Sequence, residues 1–395
     1  MVWLIRLVYG SFILHTAYSL EDSKLQLVQT LTRHGDRAPL HSYPTDPNTE
    51  ECWPEGFGKL TLLGKKQQYA LGKVLRSMYQ DFITTNPSEV LVNSSATDRC
   101  LTSAAATMAS FYAPEGRWKF EDDLNWQPIP IHYVPPYQDK FLSFKGKCPR
   151  VTAEMINQRN SEELQELFQK YQAQLEIVSN YTGLNVSQGV NAFYLHDTLL
   201  IEKMHNLTIP EWVDLFWEEI HEIADSIFQS FTSSPLALRL RVGPLLQDID
   251  RNMRKKISGD LPDLKVQMHS AHDINIAAVL LALNFTNMPR PPYCATLLFE
   301  LHEMSDATWA VRLLYLNSTD PLAGMGEPQV LELDDCSEFC PVENFTNQIQ
   351  HLIPENWEQE CQLHTSNTRG IQENSVLFRI MNNTSIRSHN LSRQD

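Results

Sequence analysis

Three times along this chain an apolar, strand-like run breaks into a short polar turn and passes toward a helical stretch. The first, "LVQTLTRHGDRAP" at residues 27–39, follows a strand pattern over 25–32. The second, "SEVLVNSSATDRC", has a strand at 90–92 and an Ala-rich helix over 101–112, and the third, "DLKVQMHSAHDINIAAVLLAL", a strand at 265–269 and a helix over 274–283. Repeated units of this kind bury their strands only when helices cover the sheet, so the expected class is α/β with a mostly parallel central sheet. "YCATLLFELHE" and "TWAVRLLYLNS" read as an antiparallel pair at one sheet edge.

Between the second and third units the texture changes. Residues 148–233 are helical in pattern throughout, which predicts an all-α insertion capping one end of the sheet. The α/β part is then built from 20–147 and 234–361. The proline-dense stretch "QPIPIHYVPPY" at 127–137 reads as an ordered crossing into the insertion. After Cys361 the chain turns polar and loses any periodic apolar face, so 362–395 is expected to be a disordered tail.

The polar turns hold the chemistry. In open α/β sheets ligands bind beyond the carboxyl ends of the strands, and those ends carry Arg33, His34 and Arg37, then Asp98 and Arg99, then His272 and Asp273. Buried cations without partners cost several kcal/mol or more, so three converging guanidiniums call for an anion. Each offers a planar fork of donors and does not lose its charge, which suits a tetrahedral oxyanion such as a phosphoryl group. A neutral imidazole is a good nucleophile toward phosphorus, and a nearby carboxylic acid can protonate the departing alkoxide. Such a set needs no metal and no cofactor. Gly35 is expected to let the loop turn sharply and approach the phosphate. Asp36 and Asp98 read as loop-ordering or ion-pairing residues, and His269 as a satisfied core histidine. Trp53, Phe57 and Trp126 read equally as a substrate mouth or as buried aromatics.

"RHGDRAP" near the N-terminus, "TDR" about sixty residues on and "SAHD" late in the chain resemble the histidine acid phosphatases of the prostatic, lysosomal and venom type. The likeness spans residues 25–361 and takes in "YPTDP", "WPEGFGKLTLLGKKQ", "FYAPEG", "WQPIPIHYVP", "HNLTIPEW" and "RPPY". It implies a phosphoglycerate mutase-like fold, His34 as the nucleophile that forms a phosphohistidine, and Asp273 as the general acid. Arg33, Arg37, Arg99 and His272 would bind the phosphate. It further implies bridges Cys148–Cys361 and Cys336–Cys340, the latter closing the short loop "CSEFC". Ile201 stands where a third bridge would begin and Cys294 is displaced from its partner position, which leaves Cys52, Cys100 and Cys294 unassigned. Relatives are often homodimers.

The N-terminus has an early Arg6, an apolar run over 7–14 and small residues Ala17 and Ser19, which predicts a signal peptide over 1–19. Ten N-x-S/T acceptors, from Asn93 to Asn390, and seven cysteines agree with an exported or lumenal glycoprotein. No stretch after the leader reaches the length of a membrane span. The net charge of −16 speaks against nucleic acid or an anionic membrane as partner. The expected function is an acid phosphatase acting on small phosphomonoesters. Two alternatives are a phytase-like dedicated phosphatase and a secreted binding or venom component whose catalysis is incidental.

Overall fold

The computed structural model describes residues 20–318 and 322–363. The expected leader and nearly all of the expected tail lie outside the described residues. The strands are β1 (Ser23–Arg33), β2 (Val90–Ser95), β3 (Ile131–Val134), β4 (Val266–Ala271), β5 (Thr296–Met304), β6 (Trp309–Leu316), β7 (Gln329–Val330) and β8 (Cys340–Pro341). They form one sheet in the order β3-β2-β4-β1-β5-β6-β7, with β8 also pairing β6. The pairs β3/β2, β2/β4 and β4/β1 are parallel. From β5 onward the pairing is antiparallel. The class is therefore α/β, as the repeated units predict, but the sheet is mixed, with three parallel and four antiparallel pairs, where a mostly parallel one was expected.

Register places the site. Arg33 is opposite Ala271 on β4, and Ser94 of β2 is opposite Ser270 on the other side of β4. The carboxyl ends of β1, β2 and β4 are thus level, and the turns that follow them emerge side by side.

Side chains alternate along β1 because successive residues point to opposite faces of a pleated strand. Leu27 and Leu31 join one buried cluster and Val28 another. On the Val28 face pack α1 (Leu62–Met78) and α2 (Asp98–Phe111), through Leu71, Leu75, Ala104 and Met108. Residues 149–230 form α3 (Pro149–Arg159), α4 (Glu162–Lys170), α5 (Gln172–Thr182), α6 (Asn191–Met204) and α7 (Trp212–Ser230). The apolar faces of α4 to α7 meet in a separate cluster that includes Leu175, Leu195, Ile220 and Ile227, whereas α3 packs through Val151 against Ala237 and Leu240. On the Leu27 face lie α8 (Pro235–Ile257), α9 (Asp273–Ala282) and α10 (Val342–Ile349), with the short α11 (Trp357–Glu360) beyond. No helix among the described residues is long and apolar enough to cross a membrane.

Two differences from the sequence reading have clear causes. The stretch 127–137 is more than a crossing, since it contains β3, a four-residue strand on the sheet edge. Prolines flank that strand and leave its ladder donors intact, which an edge position tolerates. The helix of the first unit, α1, begins about thirty residues after β1, beyond the long loop that follows the arginine-rich turn.

Both expected bridges, Cys148–Cys361 and Cys336–Cys340, are present. Cys52 is exposed and free, and Cys100 and Cys294 are buried and free.

Candidate active site

At the end of β1 the chain buries Arg33, His34, Asp36 and Arg37, none more than 7% exposed. His34 Nδ1 lies 2.8 Å from the carbonyl oxygen of Gly35. A carbonyl can only accept, so Nδ1 holds the proton and Nε2 is left with the lone pair. Burial, then the charges of Arg99 and Arg33, hold the His34 pKa well below its usual value, so the ring stays neutral in acid.

The second and third turns bring in Arg99 and His272. Arg99 Nη2 sits 3.3 Å from His272 Nδ1, and Ser95 Oγ is 3.1 Å from His272 Nε2. An arginine can only donate, so Nδ1 accepts and the ring proton on Nε2 faces Ser95. The His34 and His272 rings meet edge to face at 5.5 Å between centroids. His272 too is held well below the usual histidine range, by burial and then by Arg99. Asp98, next in sequence to Arg99, turns away and pairs with Lys59.

Three arginines therefore surround one imidazole, and Arg33, Arg37 and Arg99 each keep a buried Nε with no hydrogen-bond partner. Buried donors are rarely left so, and three together mark a place for an anion. The terminal nitrogens of Arg33 and Arg37 are already engaged. Arg33 Nη1 donates to the Pro291 carbonyl at 2.7 Å, and its guanidinium lies 4.2 Å from the centre of the Tyr293 ring. Arg37 grips Asp197 on α6 with both terminal nitrogens, at 3.0 and 2.9 Å.

Asp273 is the first residue of α9, just after the N-cap His272. Its Oδ1 accepts from the Ile274 amide at 2.9 Å. Its Oδ2 is held by Arg33 at 3.1 Å and by Arg290 Nε and Nη2 at 3.1 and 2.9 Å. Burial raises the Asp273 pKa, but Arg33, Arg290 and His34 outweigh it and hold the carboxyl well below the usual carboxylate range.

Gly35 has a packing reason that the sequence did not suggest. A Cβ there would stand 2.5 Å from the carbonyl oxygen of Gly64 in α1, so the missing side chain serves the packing of the loop onto that helix. Asp36 is fully buried and accepts from Thr61 Oγ1 and from His205 Nε2, the latter at 2.8 Å. His269 lies 3.2 Å from the Thr30 carbonyl oxygen through Nδ1 and 3.2 Å from Gln267 Nε2, inside the sheet. Trp53 is buried against Ala38 and Ile201, Phe57 packs beside it, and Trp126 is 41% exposed against Phe120. Sequence reasoning missed Asp197, Arg290 and Tyr293. "RPPY" held the last two in view, but nothing in it marked them as neighbours of His34.

A model of the histidine phosphatase superfamily (branch 2) matches residues 24–316. The chain belongs to that family. Within it, the human lysosomal acid phosphatase is 35% identical over 347 residues, 86% of this chain and 80% of that protein. The lysosomal acid phosphatase of Xenopus laevis is 34% identical, covering 89% and 82%. The human prostatic acid phosphatase is 32% identical, covering 90% and 92%. Among solved structures, the phytase of Hafnia alvei in complex with myo-inositol hexakis sulphate superimposes with a TM-score of 0.64 at 20% identity, over 88% of this chain and all of that one. That likeness is one of fold. The chain is accordingly a phosphoric monoester hydrolase of the histidine phosphatase family, with acid phosphatases as its relatives.

Proposed function

We propose that this phosphatase hydrolyses small phosphate monoesters in acid through a phosphohistidine on His34, within an exported or lumenal glycoprotein. The observation that carries the proposal is the buried imidazole whose Nδ1 is tied to the Gly35 carbonyl while three arginines with unpartnered Nε atoms surround it. Arg33, Arg37, Arg99 and His272 take the phosphoryl oxygens. The Nε2 lone pair of His34 attacks phosphorus, the bond from phosphorus to the ester oxygen breaks, and Asp273 gives that oxygen a proton. Water then attacks the phosphohistidine and passes a proton to Asp273. The bond from phosphorus to nitrogen breaks and inorganic phosphate leaves. The arginine charges stabilise the transferring group in both steps.

The resting Asp273 is a carboxylate, so the proton enters with the substrate. A phosphomonoester keeps one proton below about pH 6, as a phosphorylated side chain does. That requirement accounts for an acidic optimum.

The helices over 148–233 serve as the cap, and their charge fits small substrates better than polyanions. They carry four Lys or Arg against thirteen Asp or Glu. Lys170 and Lys203 are themselves paired, with Glu222 and Asp214. A homodimer, frequent among such enzymes, would be read from sedimentation. The test of function is a hydrolysis profile across phosphomonoesters of varied size, from about pH 3 to 8, on the purified glycoprotein and its His34→Ala variant. The small esters should turn over and the variant should not. A preference for highly phosphorylated substrates would favour the phytase-like reading, and a biological effect that survives His34→Ala would favour the binding reading.

A further inference from the structure

The segment "RPPY" enters the site between α9 and β5 and touches it at several points. Pro289, Pro291 and Pro292 fix the backbone on both sides of Arg290, since each proline ring locks φ. The Pro291 carbonyl takes Arg33 Nη1, and Tyr293 lies beneath the Arg33 guanidinium. Arg290 itself spans two parts of the fold. On one side its Nε and Nη2 both reach Asp273 Oδ2. On the other its guanidinium lies 5.3 Å from the centre of the Phe193 ring on α6 and 4.7 Å from that of Phe228 on α7. Two aromatic faces and a rigid backbone leave this side chain little freedom.

The two carboxylate oxygens of Asp273 are therefore unequal. Oδ2 has three donors, two from Arg290 and one from Arg33, whereas Oδ1 has only the Ile274 amide. Protonation goes to the oxygen with fewer donors. Arg290 supplies two of the three donors on Oδ2, and both come from outside the β1 turn.

We infer that Arg290 is the positioning residue of the proton donor: it pins Asp273 Oδ2 against the cap aromatics, so that Oδ1 carries the proton to the leaving oxygen. The inference rests on Asp273 as that donor. The other charged or titratable groups facing Asp273 are Arg33, Arg37, Arg99, His34, His272 and the Cys100 thiol. Those facing Arg290 are Asp197, Arg37 and His196. None of them donates twice to Oδ2.

The experiment compares Arg290→Leu and Arg290→Lys on two esters, glycerol phosphate and nitrophenyl phosphate, by kcat/KM. Glycerol phosphate expels a strongly basic alkoxide that needs the proton; nitrophenyl phosphate expels a weak base that does not. General acid help is worth roughly 10²–10⁴, so a misplaced donor should cost Arg290→Leu about tenfold or more on the alkyl ester and much less on the aryl ester. Arg290→Lys, which keeps the charge and one donor, should recover part of that loss. In free enzyme, the Asp273 carboxyl signal in NMR, identified by its absence from Asp273→Asn, should titrate about one unit higher in Arg290→Leu, since an adjacent arginine lowers an aspartate by roughly 1–3 units. Should Arg290→Leu fail to fold, Arg290→Lys against wild type gives the same two readouts. Equal losses on both esters with an unmoved carboxyl titration would overturn the assignment. If Asp273→Asn loses no more on the alkyl ester than on the aryl ester, the donor reading itself falls; if only the Arg290 variants lack the contrast, Arg290 alone is excluded.

Discussion

Arg37, in the turn after β1, is gripped bidentately by Asp197, which belongs to α6, and both side chains are 6% exposed. One of the three cradle arginines is thereby aimed by an element that the sheet does not supply. Asp197→Asn should lower stability by about 3–5 kcal/mol, the cost of leaving a buried charge unpaired. Phosphate should restore part of that loss, because the freed guanidinium gains an anion. Thermal melts with and without inorganic phosphate check this: the phosphate-induced rise in Tm should be larger in the variant than in wild type. An equal rise would mean that Arg37 does not face the phosphate.

Gly35→Ala adds one methyl group against the Gly64 carbonyl of α1. Backbone cannot swing aside as a side chain can, so the catalytic turn must shift. Misplacement by about 1 Å is enough to cost 10²-fold in rate. The expected outcome is a loss of that order in kcat, measured on a variant whose circular dichroism matches wild type. A near-normal kcat would show that the turn has more slack than its packing suggests.

The convergence of the three polar turns was legible because they are local. Arg33, His34, Arg37, Arg99, His272 and Asp273 each fall within a few residues of a strand end, and strand ends meet at the same edge of a parallel sheet. What escaped reading is what depends on tertiary approach. Gly64 and Gly72 lie within α1 where it packs against the backbone of Asp36 and of Thr107. Gly243 and Pro244 likewise lie within the continuous α8, at a point where its backbone presses on Leu352. Asp197 and Arg290 carry no local sign of function, because each becomes part of the site only when α6 and the segment before β5 pack against it.

Glu202 on α6 is fully buried, and burial, with Asp46 beside it, pushes its pKa up to about 8. The unfolded chain releases this proton near pH 4.3, while the folded chain keeps it until about 8. Its stabilising contribution is therefore complete below the unfolded value and is lost as pH rises toward 8. Glu202→Gln removes the titration and should stabilise the protein at pH 7–8 by roughly 1–3 kcal/mol, with little gain near pH 4. Melting curves at the two pH values decide it. A gain that is the same at both would place the carboxyl outside the pH response.

In the proposed mechanism guanidiniums supply the charge at the transferring phosphoryl group. Activity should accordingly survive EDTA, and vanadate, which adopts the five-coordinate geometry of the transfer, should inhibit strongly. Activity lost in EDTA and recovered with zinc or magnesium would contradict this.

The central claim is that His34 Nε2 receives the phosphoryl group, and the most direct measurement is to trap it. Enzyme turning over a phosphomonoester would be denatured rapidly in alkali, which preserves phosphohistidine, then digested and read by mass spectrometry. The account predicts phosphate on the peptide that contains His34, and none after His34→Ala. Phosphate on a serine, on a carboxylate or on His272 would contradict it.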